Sequence, residues 1–189
     1  WSSDVCSSDL GRLDAGLGKA FGGQSQMIGN YKETSMWGVR GQEDLGGGLK
    51  ASFNFEQGVN IEDGALTGGA AGAWNRAAWL AIGGGFGEFA MGRMTTAQNR
   101  TMGMFALNGT ANNTSALKNL GLDAYGSLGG NRANSQFMYT SPNLSGFQAR
   151  ASVVMKEDKG AAPTPPAADP RKTSFQLAAS YKNGPLSLG

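Results

Sequence analysis

The chain has no histidine and a single cysteine, Cys6. Without histidine it lacks the commonest general base and metal ligand at neutral pH. One cysteine cannot close an internal disulfide or assemble a thiolate zinc set. Charged residues are also sparse, at 16% where soluble domains carry about 25%. No apolar run approaches the ~18 residues that a membrane-spanning helix needs. These absences argue against disulfide scaffolds, zinc modules and helical membrane proteins. Glycine is abundant, with 31 of 189 residues, more than twice its usual share of about 7%.

The first ten residues, WSSDVCSSDL, have a separate explanation. They read codon by codon from TGG AGT TCA GAC GTG TGC TCT TCC GAT CT, a string that resembles a widely used sequencing-adapter tail. Residues 1–10 are therefore read as foreign and left out of the fold reasoning; a genuine polar N-terminus is the other reading. Cys6 lies inside this segment. Without Asp4 and Asp9 the excess of Lys and Arg over acids grows by two.

The positive signal is alternation. From Lys50 to Glu56, Lys50, Ser52, Asn54 and Glu56 oppose Ala51, Phe53 and Phe55. A period of two means a β-strand with one polar and one apolar face. The pattern recurs over Arg12–Lys19, Tyr31–Glu43, Trp74–Ile82, Glu88–Met94, Asn131–Ser141, Gly146–Lys156 and Arg171–Lys182, and Leu186 begins another strand. The expected fold is all-β, an antiparallel up-and-down meander of about eight strands. Phe53, Phe55, Trp79, Phe147, Phe175 and Leu177 are expected on its convex side.

Such strands suit a β-sandwich, a solenoid or a transmembrane barrel. The connections separate these. Those at 44–48, 83–87, 142–145 and 183–185 are short; those at 20–30, 61–73, 95–130 and 157–170 are long. Short and long alternate strictly. In a meander every second connection lies at the same end, so one rim holds the turns and the other the loops. Outer-membrane barrels have this asymmetry. Greek-key sandwiches have no reason for it.

Several segments carry a family likeness. Residues 38–51, GVRGQEDLGGGLKA, resemble the second hairpin of the general Gram-negative porins of β-proteobacterial type. Leu13-Asp14-Ala15-Gly16, Asn75-Arg76 with Ala78, Phe86-Gly87 through Met91-Gly92-Arg93, and Tyr139 with Ser141-Pro142 and Leu144 to Phe147 resemble further strands and turns in the same order. The likeness spreads over 11–189. It implies trimers of 16-stranded barrels in the bacterial outer membrane, each with its own water-filled channel. Sixteen strands of ~10 residues with loops need well over 300 residues, so 11–189 corresponds to the N-terminal half. The implied partners are small hydrophilic solutes, ions and membrane lipid, with a homotrimer as the full-length assembly. No nucleic acid, cofactor or metal is implied.

In these porins the third long loop folds into the barrel, and 95–130 stands in its place. It carries apolar residues from Met102 to Tyr125 that a solvated tip would not need, and a short helix is expected near Ser115–Leu120. Its charged residues are Arg100, Lys118 and Asp123. Strand parity turns Arg12, Arg40, Lys50, Arg76, Arg132 and Arg150 to the polar face, with Asp14 and Glu56. Arg40, Arg76 and Arg132 resemble the wall arginines of anion-preferring relatives. A basic wall in a narrow pore raises the local anion concentration. The other reading of each arginine is a solvated strand residue or one arm of an ion pair to Glu56 or Asp123. Parity places Arg93 with Phe89 and Met91, so either a bulge turns it inward or it extends along the rim.

Other chemistry is thin. Gly83 to Gly87 leads into a strand, not a helix, so it is no phosphate loop. A Ser-His site is impossible in this chain. The expected function is passive diffusion of small hydrophilic solutes with anion preference, not catalysis. The alternative is an adhesin or structural barrel that works through its long loops.

Overall fold

The computed structural model describes residues 6–19, 23–31, 33–68, 72–102, 132–156 and 173–188, and of 6–9 the backbone alone. Nine strands form one sheet: β1 (Cys6–Arg12), β4 (Met36–Gly46), β5 (Leu49–Gly58), β6 (Ala77–Gly84), β7 (Gly87–Thr95), β8 (Arg132–Thr140), β9 (Phe147–Val154), β10 (Ser174–Asn183) and β11 (Leu186–Leu188), neighbours in that order. Every neighbouring pair is antiparallel. A separate hairpin pairs β2 (Ala15–Lys19) with β3 (Ser25–Gly29). A short helix, α1 (Ala97–Met102), follows β7. No described helix is long and apolar enough to cross a membrane, which bears on helices alone.

The meander, the alternation of turns and long connections, and most strand positions agree with the sequence pattern. The first strand does not. Arg12–Lys19 alternates, but it is not one strand: Arg12 ends β1 in the main sheet, Ala15–Lys19 is β2 of the small hairpin, and the segment expected as a polar loop, 21–29, contains β3. The break falls at Leu13-Asp14. The Asp14 N–H donates to Ser35 Oγ at 2.9 Å, and its carboxylate accepts the Glu33 N–H at 2.8 Å. These bonds lead the chain off the sheet edge into the small hairpin, where Leu17 is 91% exposed. β1 takes the edge instead and pairs Cys6–Arg12 with Gln42–Met36. Backbone pairing of that kind is available to any sequence without proline. Tyr31 likewise lies outside the strand, since β4 begins at Met36.

The registers assign the two faces. Phe53 pairs with Leu80, Leu80 with Met91, and Met91 with Phe137. Phe175, Leu177, Phe147 and Val153 continue that face. It is the convex face, and most of its large side chains, Leu80, Met91, Phe137, Phe147, Phe175 and Leu177 among them, are exposed. Trp79 is a correction. It pairs with Asn54 and Gly92 and packs on the buried cluster of the opposite face. The alternation shifts by one residue because Arg76 lies before the strand rather than in it, leaving Ala78, Leu80 and Ile82 as the apolar outward set of β6.

On the concave face, Ala81 and Ala90 are small enough to admit Met94, Met138 and Ala97, and the five form a buried cluster. Ala97 belongs to α1, so the chain after β7 turns inward. Thr96 caps the helix, its Oγ1 accepting the Asn99 N–H at 3.3 Å. The Gln98 N–H reaches Gln176 Oε1 on β10 at 3.5 Å. The helix therefore lies against the inner face of β9 and β10.

Candidate functional site

Glu56 and Asn54 project from the concave face of β5. Asn54 Nδ2 donates to Glu56 Oε1 at 2.8 Å, and Glu56 Oε2 lies 3.6 Å from Arg76 Nε. The Arg76 N–H also donates to the Glu56 carbonyl at 3.1 Å, which fixes where the 59–76 connection re-enters the sheet. That connection is fastened mainly by two amide side chains. Asn75 Oδ1 accepts the Gly58 N–H at 2.9 Å, and Asn75 Nδ2 donates to Thr67 Oγ1 at 3.2 Å. Gln57 Oε1 accepts the Trp74 N–H at 2.5 Å, while Gln57 Nε2 donates to the Gly58 carbonyl at 2.7 Å. Trp74 then stacks outside, against Trp37 at 5.2 Å and Phe55 at 5.6 Å between ring centres. With Trp74 turned out and Ala77 in, the chain between them swings Arg76 to the inner side. Gly58 leaves the room: a Cβ there would stand 2.0 Å from Thr67 Oγ1 and 3.4 Å from Arg76 Cδ.

Arg93 reaches the same place at the rim without a change of parity, since it pairs with Ala78 of the outward set and Met94 after it stays in the concave cluster. The β7–β8 register shifts between Gly92 and Met94, with Asn134 and Ser135 opposite Arg93. Ser135 has φ 47°, the left-handed value that a bulged residue of this kind requires. Arg93 Nε donates to the Asn75 carbonyl at 2.7 Å, and Nη1 donates to Asn134 Oδ1. Arg132 opens β8 beside it. The result is a cavity of about 500 Å³ lined by Asn30, Thr34, Thr67, Asn75, Arg76, Arg93 and Arg132, at the rim that bears the long connections. Burial lowers the Arg76 pKa from its ordinary value, because it removes water from the guanidinium; attraction to Glu56 opposes this.

Of the residues singled out from the sequence, the structure brings Arg76 and Arg132 together. Arg12 stands on the same face nearby. Its Nε and Nη2 donate to the Thr34 carbonyl, and its guanidinium pairs with Glu33 at 3.1 Å. Arg40 and Lys50 share the concave face, opposite Asn54 and Asp44 respectively, but lie further toward the turn rim and do not line the cavity. Arg150 is apart from them, buried under α1. Its Nη1 donates to Thr101 Oγ1 at 3.2 Å, Nη2 donates to Gln148, and Arg100 is the neighbouring cation. The Glu56 ion pair considered for the arginines is made by Arg76. Asp14 is engaged at the strand break and not on the wall. Lys118, Asp123 and the helix expected near Ser115–Leu120 lie outside the described residues. The alternation does not mark Gln57 or Asn75 as site residues. Their signal, a Trp-Asn-Arg step that interrupts the alternation before β6, is visible only in hindsight of the pairing.

A family model described as Gram-negative porin matches residues 10–189. Outer membrane porin protein 32 of Delftia acidovorans is 33% identical over 157 residues, 82% of this chain and 42% of that protein. An outer membrane porin protein of Bordetella pertussis is 31% identical over 129 residues, 65% of this chain and 31% of its own length. Among solved structures, an anion-selective porin from Comamonas acidovorans superposes with a TM-score of 0.75 at 27% identity, over 97% of this chain and 55% of its own. The Vibrio cholerae outer membrane protein OmpT shares the fold, with a TM-score of 0.61 at 17% identity. The chain thus spans less than half the length of the two curated relatives from Delftia and Bordetella.

Proposed function

Because the chain belongs to the Gram-negative porin family, a family of the bacterial outer membrane, we propose that the whole protein is a passive, anion-preferring diffusion channel for small hydrophilic solutes. In this reading residues 11–189 are the N-terminal half of a 16-stranded barrel, residues 1–10 are foreign, and the assembled protein is a homotrimer. The observation that carries the reading is the sheet itself: most of its charged side chains are concave and most of its large apolar ones convex, which suits a water-filled lumen inside lipid. The inward turn of α1 over β9 and β10 supports 95–130 as the constriction loop. The family makes a channel rather than an enzyme the basis of the reading.

Anion preference follows from the basic wall. Two unit charges 4 Å apart interact by ~1 kcal/mol in water and several-fold more beside a low-dielectric wall. Even the smaller figure changes the local ion concentration by about fivefold. In the full-length protein, replacing Arg40, Arg76 and Arg132 together by Gln is expected to keep conductance within the same order. The reversal potential in a KCl gradient should shift toward the cation side. The shift should shrink with salt, because the Debye length falls from ~10 Å at 0.1 M to ~3 Å at 1 M. An unchanged reversal potential at low salt would remove these arginines from the selectivity mechanism.

A further inference from the structure

We infer that Arg150 is a positioning residue of the channel: a buried latch that seats α1, and with it the start of the 95–130 connection, on the wall, instead of a charge that selects ions. The inference rests on the channel reading and separates one arginine from the basic wall. Of the six basic residues that strand parity turns to the polar face, Arg150 is the buried one, 8% exposed, whereas Arg40 and Lys50 are exposed. Its partner on α1, Thr101, is buried too. A charge covered in this way meets few passing ions. A buried guanidinium is costly unless its N–H groups are bonded, so its partners define its role. Arg150 Nη1 donates to Thr101 Oγ1 at 3.2 Å, and Nη2 donates to Gln148 Oε1.

The guanidinium is braced from the wall. Gln148 precedes it on the same face of β9, and Gln148 Nε2 donates to the Ser141 carbonyl at 3.3 Å. A chain of side-chain bonds thus runs from the turn after β8, through Gln148 and Arg150, to the last turn of α1. The helix needs such a tie, because isolated helices shorter than ~12–15 residues are marginal in water. Ala97 anchors its first turn in the buried cluster with Met94 and Met138. The contact from the Gln98 N–H to Gln176 is longer, at 3.5 Å. The tie is not an attraction between charges. Arg100 of α1 is a cation near Arg150 and repels it. Acting through charge alone, Arg150 would push α1 off the wall; acting as a latch, it holds α1 there.

The test uses the full-length protein in detergent and in planar bilayers. Thr101→Val is the decisive variant, since it removes the hydroxyl and leaves both arginines. Hydrogen exchange reads the seating of α1 at the Arg100 N–H, which donates to the Thr96 carbonyl at 2.9 Å. Thr101→Val is expected to speed that exchange about tenfold, as loss of one hydrogen bond to a charged group would, while amides of the β9–β10 ladder keep their rates. In bilayers it should add brief closures to the open-channel current and leave the reversal potential in a KCl gradient unchanged. Thr101→Ser, which keeps a hydroxyl, should behave as the wild type. Arg150→Met should loosen α1 to the same degree, and the double variant no further, because the two residues share one bond. Wild-type exchange and current in Thr101→Val would overturn the inference. So would firmer seating of α1 in Arg150→Met, or a shifted reversal potential there with Thr101→Val unaffected, which would return Arg150 to the selecting charges. If Arg150→Met does not fold, the two Thr101 variants decide the matter. Faster exchange in Thr101→Val without conductance in the wild type would leave the latch standing and refute the channel reading.

Discussion

The convex and concave faces of one sheet obey opposite rules. On the convex face Phe175 and Leu177 are 78% and 84% exposed. On the concave face Gln136 is fully buried, and Arg150 and Ser180 nearly so. A soluble sheet would bury the first set and solvate the second. Here the same alternation is turned inside out, and the difference lies in what each face meets. Among the described residues only Trp74 packs over the apolar face, at its rim. The polar face is partly covered by its own chain, with α1 lying on β9 and β10. Gln57 is the exception that clarifies the rule. Its register puts it on the convex side, yet it is buried, because Trp74 folds over the rim and both ends of the amide are bonded to the returning connection, Oε1 to the Trp74 N–H and Nε2 to the Thr67 carbonyl.

The largest expected effect comes from removing the backbone that keeps the two faces apart. Gly92 has φ +128°, and a Cβ there would stand 2.2 Å from the Ala78 carbonyl oxygen of β6. Relief requires the β6–β7 ladder to open. Gly92→Ala is expected to cost about 3–5 kcal/mol and to leave little heat-modifiable, folded protein on unboiled gels. Normal folding would mean that the β7 register is not as described.

Charge placement tests the comparison directly. Leu80 is on the convex face between Phe53 and Met91, whereas Gln42 is on the concave face opposite Ser52. Leu80→Lys should destabilise the protein in lipid by about 2–4 kcal/mol, as a cation near mid-bilayer does. Gln42→Lys should stay within about 0.5 kcal/mol. Urea titration in liposomes measures both, and equal costs would erase the distinction between the faces.

A smaller effect is expected at the exception. Gln57→Leu leaves the Trp74 N–H without its acceptor and should cost about 1–3 kcal/mol. Limited proteolysis should then cut the 59–76 connection faster while cleavage elsewhere is unchanged. An unaltered digestion pattern would show that Trp74 stacking alone holds the connection.

Much of this architecture was legible in the residues themselves. Period-two alternation depends only on the local geometry of an extended chain, so strands such as Lys50–Glu56 and Gly146–Lys156 could be read without knowledge of their neighbours. The order of turns and long connections was equally visible, and from it the two rims. What failed was whatever depends on pairing. Arg12–Lys19 alternates as well as any barrel strand, but Asp14 and Ser35, twenty-one residues apart in sequence, take it off the sheet. Trp79 lies on the concave face, against the parity of Trp74–Ile82, because one step at Arg76 shifts the phase. For Arg93 the parity with Phe89 and Met91 holds, and only the pairing shows that Asn75 and Asn134 hold its guanidinium at the rim. The sequence by itself determined that there would be two unlike faces, since side-chain polarity and strand period are local. Only the tertiary structure decided which arginines share a cavity, because hydrogen bonds between distant segments set the register that brings Arg76, Arg93 and Arg132 together.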